Sequence, residues 1–223
     1  ARGPVDVSRA HRRRLVAAMA VVTALAASAA CGIDVDDAPR QLQVDNTTPP
    51  TAVPTPSTGR ARAVIYYVHE GALLPDIEEL PDRGLESTLR ALLQQPTPST
   101  PASNLGTSIP AGTELIEVDR DGRHLTINLS SAFDKVVGLS RQQAIGQLVL
   151  TATEVADADT ISFEIEGAPI TVTSPTRGDR SDVEACDYAP LLATVDEAGT
   201  AGLHFDASQV LATRREQLAE QCA

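Results

Sequence analysis

The chain has little of what most active sites are built from. Its 223 residues include no Trp, three Cys and four His, and no Ser stands in a Gly-x-Ser-x-Gly elbow. A nucleophilic site needs a Ser or Cys beside a base and an orienting carboxylate, and glycan clefts usually carry aromatic platforms. No Cys-x-x-Cys pair or Cys/His cluster is present. The sequence therefore predicts no catalytic residue, no metal site and no cofactor site, and a protein that is not an enzyme.

The residues that could still carry chemistry have simpler interpretations. The His residues beyond residue 30 are scattered, which indicates solvated side chains; they are His69, His124 and His204. Paired carboxylates could serve glycoside hydrolysis, but alternation along a strand favours a solvated face. These pairs are Glu78 with Glu79, Asp157 with Asp159, and Glu164 with Glu166. The run from Asp119 to Gly122 resembles part of a calcium loop, but it lacks the third acidic position and the distal Glu, so we favour a turn.

Basic residues are scarce, and Lys is almost absent. The chain has 18 basic and 30 acidic residues, and Lys135 is its single Lys. Five Arg and one Asp lie within residues 1–30, so the remainder holds 13 basic and 29 acidic side chains, a net charge of −16. Phosphate backbones and anionic headgroups repel such a chain, which disfavours nucleic-acid partners.

Only one long apolar run occurs, and it lies near the N-terminus. Arg residues at positions 9 and 12–14 precede the uncharged run 15–30. A basic region followed by a short run of small apolar residues is typical of a secretory signal peptide, here residues 1–30. A membrane-spanning helix needs about 20 apolar residues, so a permanent anchor is the weaker interpretation, and a buried core helix is weaker still.

The apolar run ends at Ser28-Ala29-Ala30-Cys31-Gly32. Small residues before a Cys resemble the lipobox of bacterial lipoproteins, although Ser28 stands where Leu is usual. The resemblance implies that Cys31 receives a lipid and becomes the mature N-terminus, which would anchor the chain to the membrane. Ordinary cleavage after the Ala27-Ser28-Ala29 pattern, leaving a soluble secreted protein, is the alternative.

The two remaining Cys residues are candidates for a disulfide. If Cys31 is acylated, Cys186 and Cys222 are left, and two thiols in an oxidising compartment are expected to pair. Closing a loop of about 37 residues would stabilise the fold by about 4 kcal/mol in the chain-entropy model. Two separate thiols remain the alternative.

Residues 31–60 have no hydrophobic period and hold five Pro among Thr and Ser. Pro removes backbone donors and favours polyproline II, so the segment is predicted to be a tether. Extended at about 3.1 Å per residue, it would hold a domain tens of ångströms from a membrane.

The first half of the predicted domain, residues 61–173, begins with a strand and a helix. Residues 63–68 are almost all apolar, which predicts a strand covered on both sides. Leu residues at positions 85, 89, 92 and 93 have helical spacing, and Pro96 ends that helix. Strand patterns at 114–118 and 123–129 flank Arg120-Asp121-Gly122, which predicts a hairpin.

The second half supplies a further helix and hairpin. Ser140 stands three residues before Gln143, which predicts a capping box at the start of a helix with one apolar stripe. Alternation over 160–166 predicts a strand, and Gly167-Ala168-Pro169 predicts the turn of a second hairpin. We therefore predict an α+β fold, with a small sheet of four to five strands and two helices on one face, followed by a C-terminal helical appendage, 174–223.

Four motifs within residues 61–173 resemble the GerMN domain, a module named after a sporulation and germination protein. They are Leu92-Leu93-Gln94-Gln95-Pro96-Thr97; Ile109-Pro110-Ala111-Gly112-Thr113; the strand running from Leu125 to Phe133 with its Leu-Ser-x-x-Phe end; and the helix and strand patterns at 147–153 and 161–167. The first differs at Gln95, where Gly is common in the family.

The resemblance implies a fold similar to the ring-building motifs of secretion and sporulation complexes, and an extracytoplasmic role. It does not imply catalysis, because the family is not defined by active-site residues. We therefore expect a lipid-anchored binding or scaffold protein on the outer face of the cytoplasmic membrane, contacting envelope proteins or cell-wall polymer. Self-association is conceivable, although the net charge of −16 opposes it. An envelope hydrolase and a solute-binding lipoprotein are the alternatives, and the second lacks the two lobes that usually enclose a solute.

Overall fold

A β-hairpin opens the folded part of the chain. The computed structural model describes residues 60–94 and 104–223, so the predicted signal peptide, Cys31, nearly all of the tether and residues 95–103 after the first predicted helix lie outside the described residues. Strand β1 (Ala61–His69) pairs antiparallel with β2 (Ala72–Leu80) in register from end to end. Side chains on both faces of β1 are buried, as predicted for this strand.

Strand β2 was not predicted, because Pro75 and three acidic residues interrupt its apolar pattern. The structure accommodates Pro75 opposite Tyr66, whose own amide and carbonyl point away from β2 toward a helix. The pair therefore exchanges no hydrogen bond, and the missing N–H of Pro75 removes nothing from the hairpin.

A five-stranded mixed sheet forms the other half of the core. After helix α1 (Leu85–Leu93) come β3 (Leu115–Asp121) and β4 (His124–Leu129), joined as an antiparallel hairpin; the turn is Gly122-Arg123, one position later than predicted. Strand β5 (Thr160–Ile165) lies parallel to β4 and pairs antiparallel with β6 (Ala168–Ile170). The α+β class and the sheet of four to five strands are thus confirmed.

Helix α2 (Gly138–Val155) connects β4 to β5 and lies at the centre of the core. It follows a short 3-10 turn, Ser131–Lys135, and residues 143–152 are all buried. A helix enclosed on every side has no solvent face, so the predicted single apolar stripe is only part of its contact surface. The predicted capping box is wrong: the helix begins at Gly138, and Ser140 does not cap it.

Three polar residues of α2 seal the free edge of β1. We call Gln143, Gln147 and Thr151 the polar row, since they lie four residues apart on one side of the helix. Thr151 Oγ1 accepts a 3.0 Å hydrogen bond from the Tyr66 amide, and Gln147 Nε2 donates to the Tyr66 carbonyl at 2.9 Å. Gln143 Nε2 donates to the carbonyl of Gly71 at 2.8 Å. The polar row therefore takes both outward backbone groups of Tyr66 on β1 and also bonds to the β1–β2 turn.

The C-terminal elements pack onto the rest of the fold. Strands β7 (Val172–Ser174) and β8 (Gly178–Arg180) form a small hairpin, and β9 (Asp182–Val183) pairs with β5; the predicted second hairpin instead turns at Glu166-Gly167. Helices follow: α3 (Ala185–Tyr188), a 3-10 turn (Ala189–Leu191), α4 (Val195–Thr200) and α5 (Phe205–Gln221).

Two contacts tie this C-terminal part down. The amide of Ala193 donates to the carbonyl of Leu73 on β2 at 3.0 Å. A disulfide joins Cys186 at α3 to Cys222 after α5, with their Cα atoms 5.6 Å apart. The pairing expected of these two thiols is therefore present.

Candidate interaction surface

The face of the main sheet that points away from the core carries polar residues in rows. Pairing between β3, β4, β5 and β9 places ten such residues on one surface, which we call the outer face. Its members are Glu117, Asp119 and Asp121 on β3; His124, Thr126 and Asn128 on β4; Thr160, Ser162 and Glu164 on β5; and Asp182 on β9. The alternate residues of β4 and β5 are buried in the core. The outer face therefore combines five carboxylates with one imidazole.

A line of hydrogen bonds crosses the middle of the outer face. His124 Nδ1 lies 2.8 Å from Thr160 Oγ1, and His124 Nε2 lies 3.0 Å from Ser162 Oγ. Thr126 Oγ1 is 3.1 Å from the same Ser162 oxygen. His124 is thus not the isolated solvated residue that we expected. Alternation indicated which residues share a face, but the parallel pairing that brings Thr160 and Ser162 beside His124 could not be read from it.

The His124–Ser162 pair does not have the geometry of a catalytic triad. In a triad, one ring nitrogen contacts the Ser and the other contacts a carboxylate. Here Nδ1 is taken by Thr160, and the nearest carboxylate oxygen, Asp182 Oδ1, lies 4.0 Å from Nε2, the nitrogen already beside Ser162. The pair also lies on an open strand surface and not in a cleft.

The predicted carboxylate pairs do not face each other across a cleft. Glu78 accepts a hydrogen bond from the Tyr67 hydroxyl. Burial and the neighbouring Asp76 raise the pKa of Glu78, although the bond from Tyr67 opposes them. Glu166, in the β5–β6 turn, accepts from the amide of Ser131 at 2.8 Å, whereas Glu164 belongs to the outer face.

Asp157 and Asp159 both bind Arg123. The Arg123 guanidinium donates to both oxygens of Asp159 at 2.6 Å and also to Asp157. These hydrogen bonds lower the pKa of Asp159. The cluster joins the β3–β4 turn to the loop before β5, so its role is to hold two loops together.

A cleft of about 560 Å³ lies beside this cluster, between the end of α2 and helices α3 and α5. Its charged lining is largely paired. Arg214 donates to Thr153 Oγ1 at 2.7 Å and places Nε 3.3 Å from Glu154 Oε1, which also accepts from the Tyr66 hydroxyl at 2.9 Å. Arg214 thus holds α5 against α2, and its contacts lie within the fold.

A buried carboxylate secures the β7–β8 hairpin to α3. Asp187 is almost completely buried and accepts a forked pair of 2.6 Å hydrogen bonds from Arg177. It also accepts from Ser174, Thr176 and the amide of Glu184. Burial alone would raise the pKa of Asp187, but these five hydrogen bonds outweigh it and lower the pKa to about 2. Because every bond ends within the fold, this site is structural.

Residues 60–94 and 104–223 lack two further features. No helix there has both the length and the apolarity needed to cross a bilayer. No group of three or more His, Cys, Asp and Glu side chains in the same part of the chain could hold a metal ion.

Solved structures of GerMN domains are similar to part of this chain. The tandem GerMN domains of the sporulation protein GerM from Bacillus subtilis are 18% identical, with a TM-score of 0.44, over 57% of this chain and 47% of that one. The first GerMN domain of that protein is also 18% identical, with a TM-score of 0.44, over 56% of this chain and 97% of that one. The chain therefore spans about half of the tandem-domain structure.

A crystal structure described as that of a "Putative Lipoprotein" from Clostridium perfringens is 21% identical, with a TM-score of 0.37, over 60% of this chain and 94% of that one. A search of curated proteins finds no significant match. The model of the Germane family, described as "Sporulation and spore germination", matches residues 54–171, slightly more than half of the chain. The protein belongs to the Germane family of sporulation and spore germination domains.

Proposed function

We propose that the protein is a lipid-anchored, non-catalytic binding or scaffold module of the bacterial cell envelope. Cys31 carries the lipid, the Pro-rich segment up to residue 60 spaces the domain from the membrane, and the domain binds envelope proteins or cell-wall polymer on the extracytoplasmic side. Family membership supports the envelope role, and the lipobox resemblance supports the anchor.

The observation that carries the binding role is the outer face. It presents five carboxylates and a hydrogen-bonded row of hydroxyl and imidazole groups on a rigid sheet. Strand residues hold such groups at fixed spacing, so a partner meets a preorganised surface. The geometry around His124 lacks the orienting carboxylate of a hydrolase, which favours binding over turnover.

Intact-mass analysis of the membrane fraction tests the anchor. We expect the mature protein to begin at Cys31 and to carry the added mass of a diacylglycerol and a further acyl chain. We also expect its mass to be two hydrogens below that of the reduced protein, because Cys186 and Cys222 form a disulfide. A Cys31→Ala variant should leave the membrane fraction. Recovery of unmodified protein in the soluble fraction, with the wild-type sequence, would contradict the anchor.

Charge reversal on the outer face tests the binding role. We expect a Glu117→Lys/Asp119→Lys variant to lose the crosslinked envelope species that the wild type forms in cells. Glu216→Lys/Glu220→Lys on α5 is the matched control, because it makes the same charge change at exposed residues away from the sheet. Equal crosslinking by both variants and by the wild type would show that the outer face is not the contact.

A further inference from the structure

Strand β3 has one edge that is paired and one that is open. It is the first strand in the sheet order and pairs only with β4. The two-residue turn Gly122-Arg123 makes Asp121 and His124 a hydrogen-bonded pair, so pairing alternates from there. The amides and carbonyls of Val118 and Arg120 therefore point away from β4, and in the described part of the chain no group pairs with them.

The other long edges of the fold are partly covered or interrupted. The polar row of α2 and Gly106 take the outward groups of β1 at Tyr66 and Val68. Strand β2 has Pro75 along its outer edge and bonds to Ala193 through Leu73. Strand β6 has three residues, one of them Pro169. Among the described strands, β3 thus offers the long edge suited to a further strand.

The charge along this edge selects its partner. Glu117, Asp119 and Asp121 alternate along β3 on the outer face, and none of them forms an ion pair with another described residue. A second copy of β3 would bring like charges together, which destabilises strand pairing. A strand with Lys or Arg at alternate positions would instead place its cations beside these carboxylates.

Apolar contact is available on the other side of the same edge. Ile116, at a bulge in β3, is 44% exposed, and Val118 is half-buried on the core side. A hollow of about 290 Å³ lies between the end of α1 and the start of β3, and Leu93 and Leu115 line it. The residues between the cations of an added strand would face this side, so small or branched apolar residues fit there.

We propose that β3 binds an extended segment of an envelope protein, with alternating basic and apolar residues, as an added strand of the main sheet. Its backbone bonds to Val118 and Arg120, and its cations lie beside Glu117, Asp119 and Asp121. The proposal deepens the proposed binding role and rests on it.

The test uses the full-length protein purified from membranes in detergent and a labelled seven-residue probe, acetyl-Lys-Val-Lys-Thr-Lys-Val-Lys-amide. Fluorescence anisotropy measures its Kd. Two further peptides carry N-methyl groups, one on its Val and Thr residues and the other on its Lys residues. In an added strand, alternate amides point toward β3, so either the Val and Thr amides or the Lys amides of the probe bond to it. The peptide methylated on the bonding amides should therefore bind at least tenfold more weakly than the other methylated peptide.

Protein variants separate strand addition from simple charge attraction. Val118→Pro removes the outward amide and leaves the pairing with β4, so we expect at least a tenfold loss of affinity; Val118→Thr keeps the amide and should bind like the wild type. Circular dichroism and the urea midpoint verify that each variant folds. Glu117→Lys/Asp119→Lys should also weaken binding, whereas Glu216→Lys/Glu220→Lys should not.

Three results would overturn the proposal. In the first, the probe does not bind the wild-type protein. In the second, the probe binds folded Val118→Pro, and both methylated peptides bind the wild-type protein, as tightly as the unmodified probe binds the wild type. In the third, sedimentation shows that the wild-type protein is a dimer and that the Val118→Pro variant is a monomer, so that a second copy of the chain occupies the edge of β3. Any of these would leave the membrane anchor and the crosslinking of the outer face to be decided by their own experiments.

Discussion

At the scale of single residues, Gly146 shows how closely α2 is enclosed. A Cβ added there would lie 2.9 Å from Leu73 Cδ1 and 3.1 Å from Tyr188 Cδ1, and both side chains are fully buried. An Ala would therefore force its neighbours apart, although Ala is the better helix former.

We expect Gly146→Ala to lower the free energy of unfolding by about 1 kcal/mol. Overpacking a filled core costs about 1–3 kcal/mol, and the gain in helix propensity offsets about 1 kcal/mol of that. Urea unfolding measures the difference. Gly199→Ala in α4, where nothing lies within 4 Å of the added Cβ, should be neutral or stabilising. Equal stability of Gly146→Ala and the wild type would contradict such tight packing around α2.

Asp187 makes part of the stability depend on pH. Its pKa is about 2 in the fold, below the ordinary value of 3.8, so its ionised form stabilises the native state. That contribution is complete above about pH 4 and is lost as the pH falls toward 2. Removing the charge would weaken the link between α3 and the β7–β8 hairpin.

We expect Asp187→Asn to be less stable than the wild type by about 2 kcal/mol at pH 7, since it loses charged hydrogen bonds to Arg177. The difference should shrink between pH 4 and pH 2, where the wild-type carboxylate becomes protonated. Urea midpoints of both proteins at intervals from pH 7 to pH 2 measure it. A difference that stays constant over that range would contradict the assignment.

At the scale of elements, the polar row of α2 carries the contact between helix and hairpin. Gln147 is fully buried, donates to the carbonyl of Tyr66 and accepts from the amide of Ser108 at 2.9 Å. Neither backbone group has a strand partner, so the Gln147 side chain satisfies one buried backbone acceptor and one backbone donor.

We expect Gln147→Leu to lower the free energy of unfolding by about 2–4 kcal/mol, because each buried backbone group left without a partner costs about 1–3 kcal/mol. Chemical denaturation measures the loss, and hydrogen exchange should show faster exchange of the Ser108 amide. The same change at half-buried Gln142 is the control and should stay within about 0.5 kcal/mol of the wild type. The hypothesis fails if the two variants are equally stable.

The elements that local pattern determines were predictable, and those that depend on distant pairing were not. Helix α1 and strands β1, β4 and β5 could be predicted, because the hydrophobic pattern that indicates each of them lies within the element itself. Strand β2 was missed because its pattern, broken at Pro75, makes sense only beside β1. The members of the outer face could be predicted from alternation along each strand. The hydrogen bonds between them could not, because they depend on the register of β4 against β5.

At the scale of the whole molecule, the disulfide closes the chain's last long loop. It spans 36 positions of sequence and fastens the end of α5 to α3, beside the cleft at the end of α2. The residues between its ends include α4 and α5, and Ala198, Leu211 and Leu218 of these helices belong to the same core as the sheet.

We expect the free energy of unfolding of the Cys186→Ser/Cys222→Ser double variant to be lower than that of the wild type by about 4 kcal/mol, the chain-entropy value for a loop of this size. For a protein of this length, that corresponds to a fall in Tm of about 8–16 °C. Thermal unfolding of the variant, with the reduced wild type as control, measures it; the two should agree. An unchanged Tm on reduction would show that packing alone holds α5.

The open edge of β3 also limits how many partners the molecule can hold. Helix side chains cover β1 at Tyr66, and Pro75 and Ala193 interrupt the edge of β2, so within the described residues β3 is the long edge best suited to strand addition. A guest strand fills that edge and presents its own far edge as part of the guest. Each domain therefore pairs directly with one guest strand through this contact, which predicts a stoichiometry of one to one.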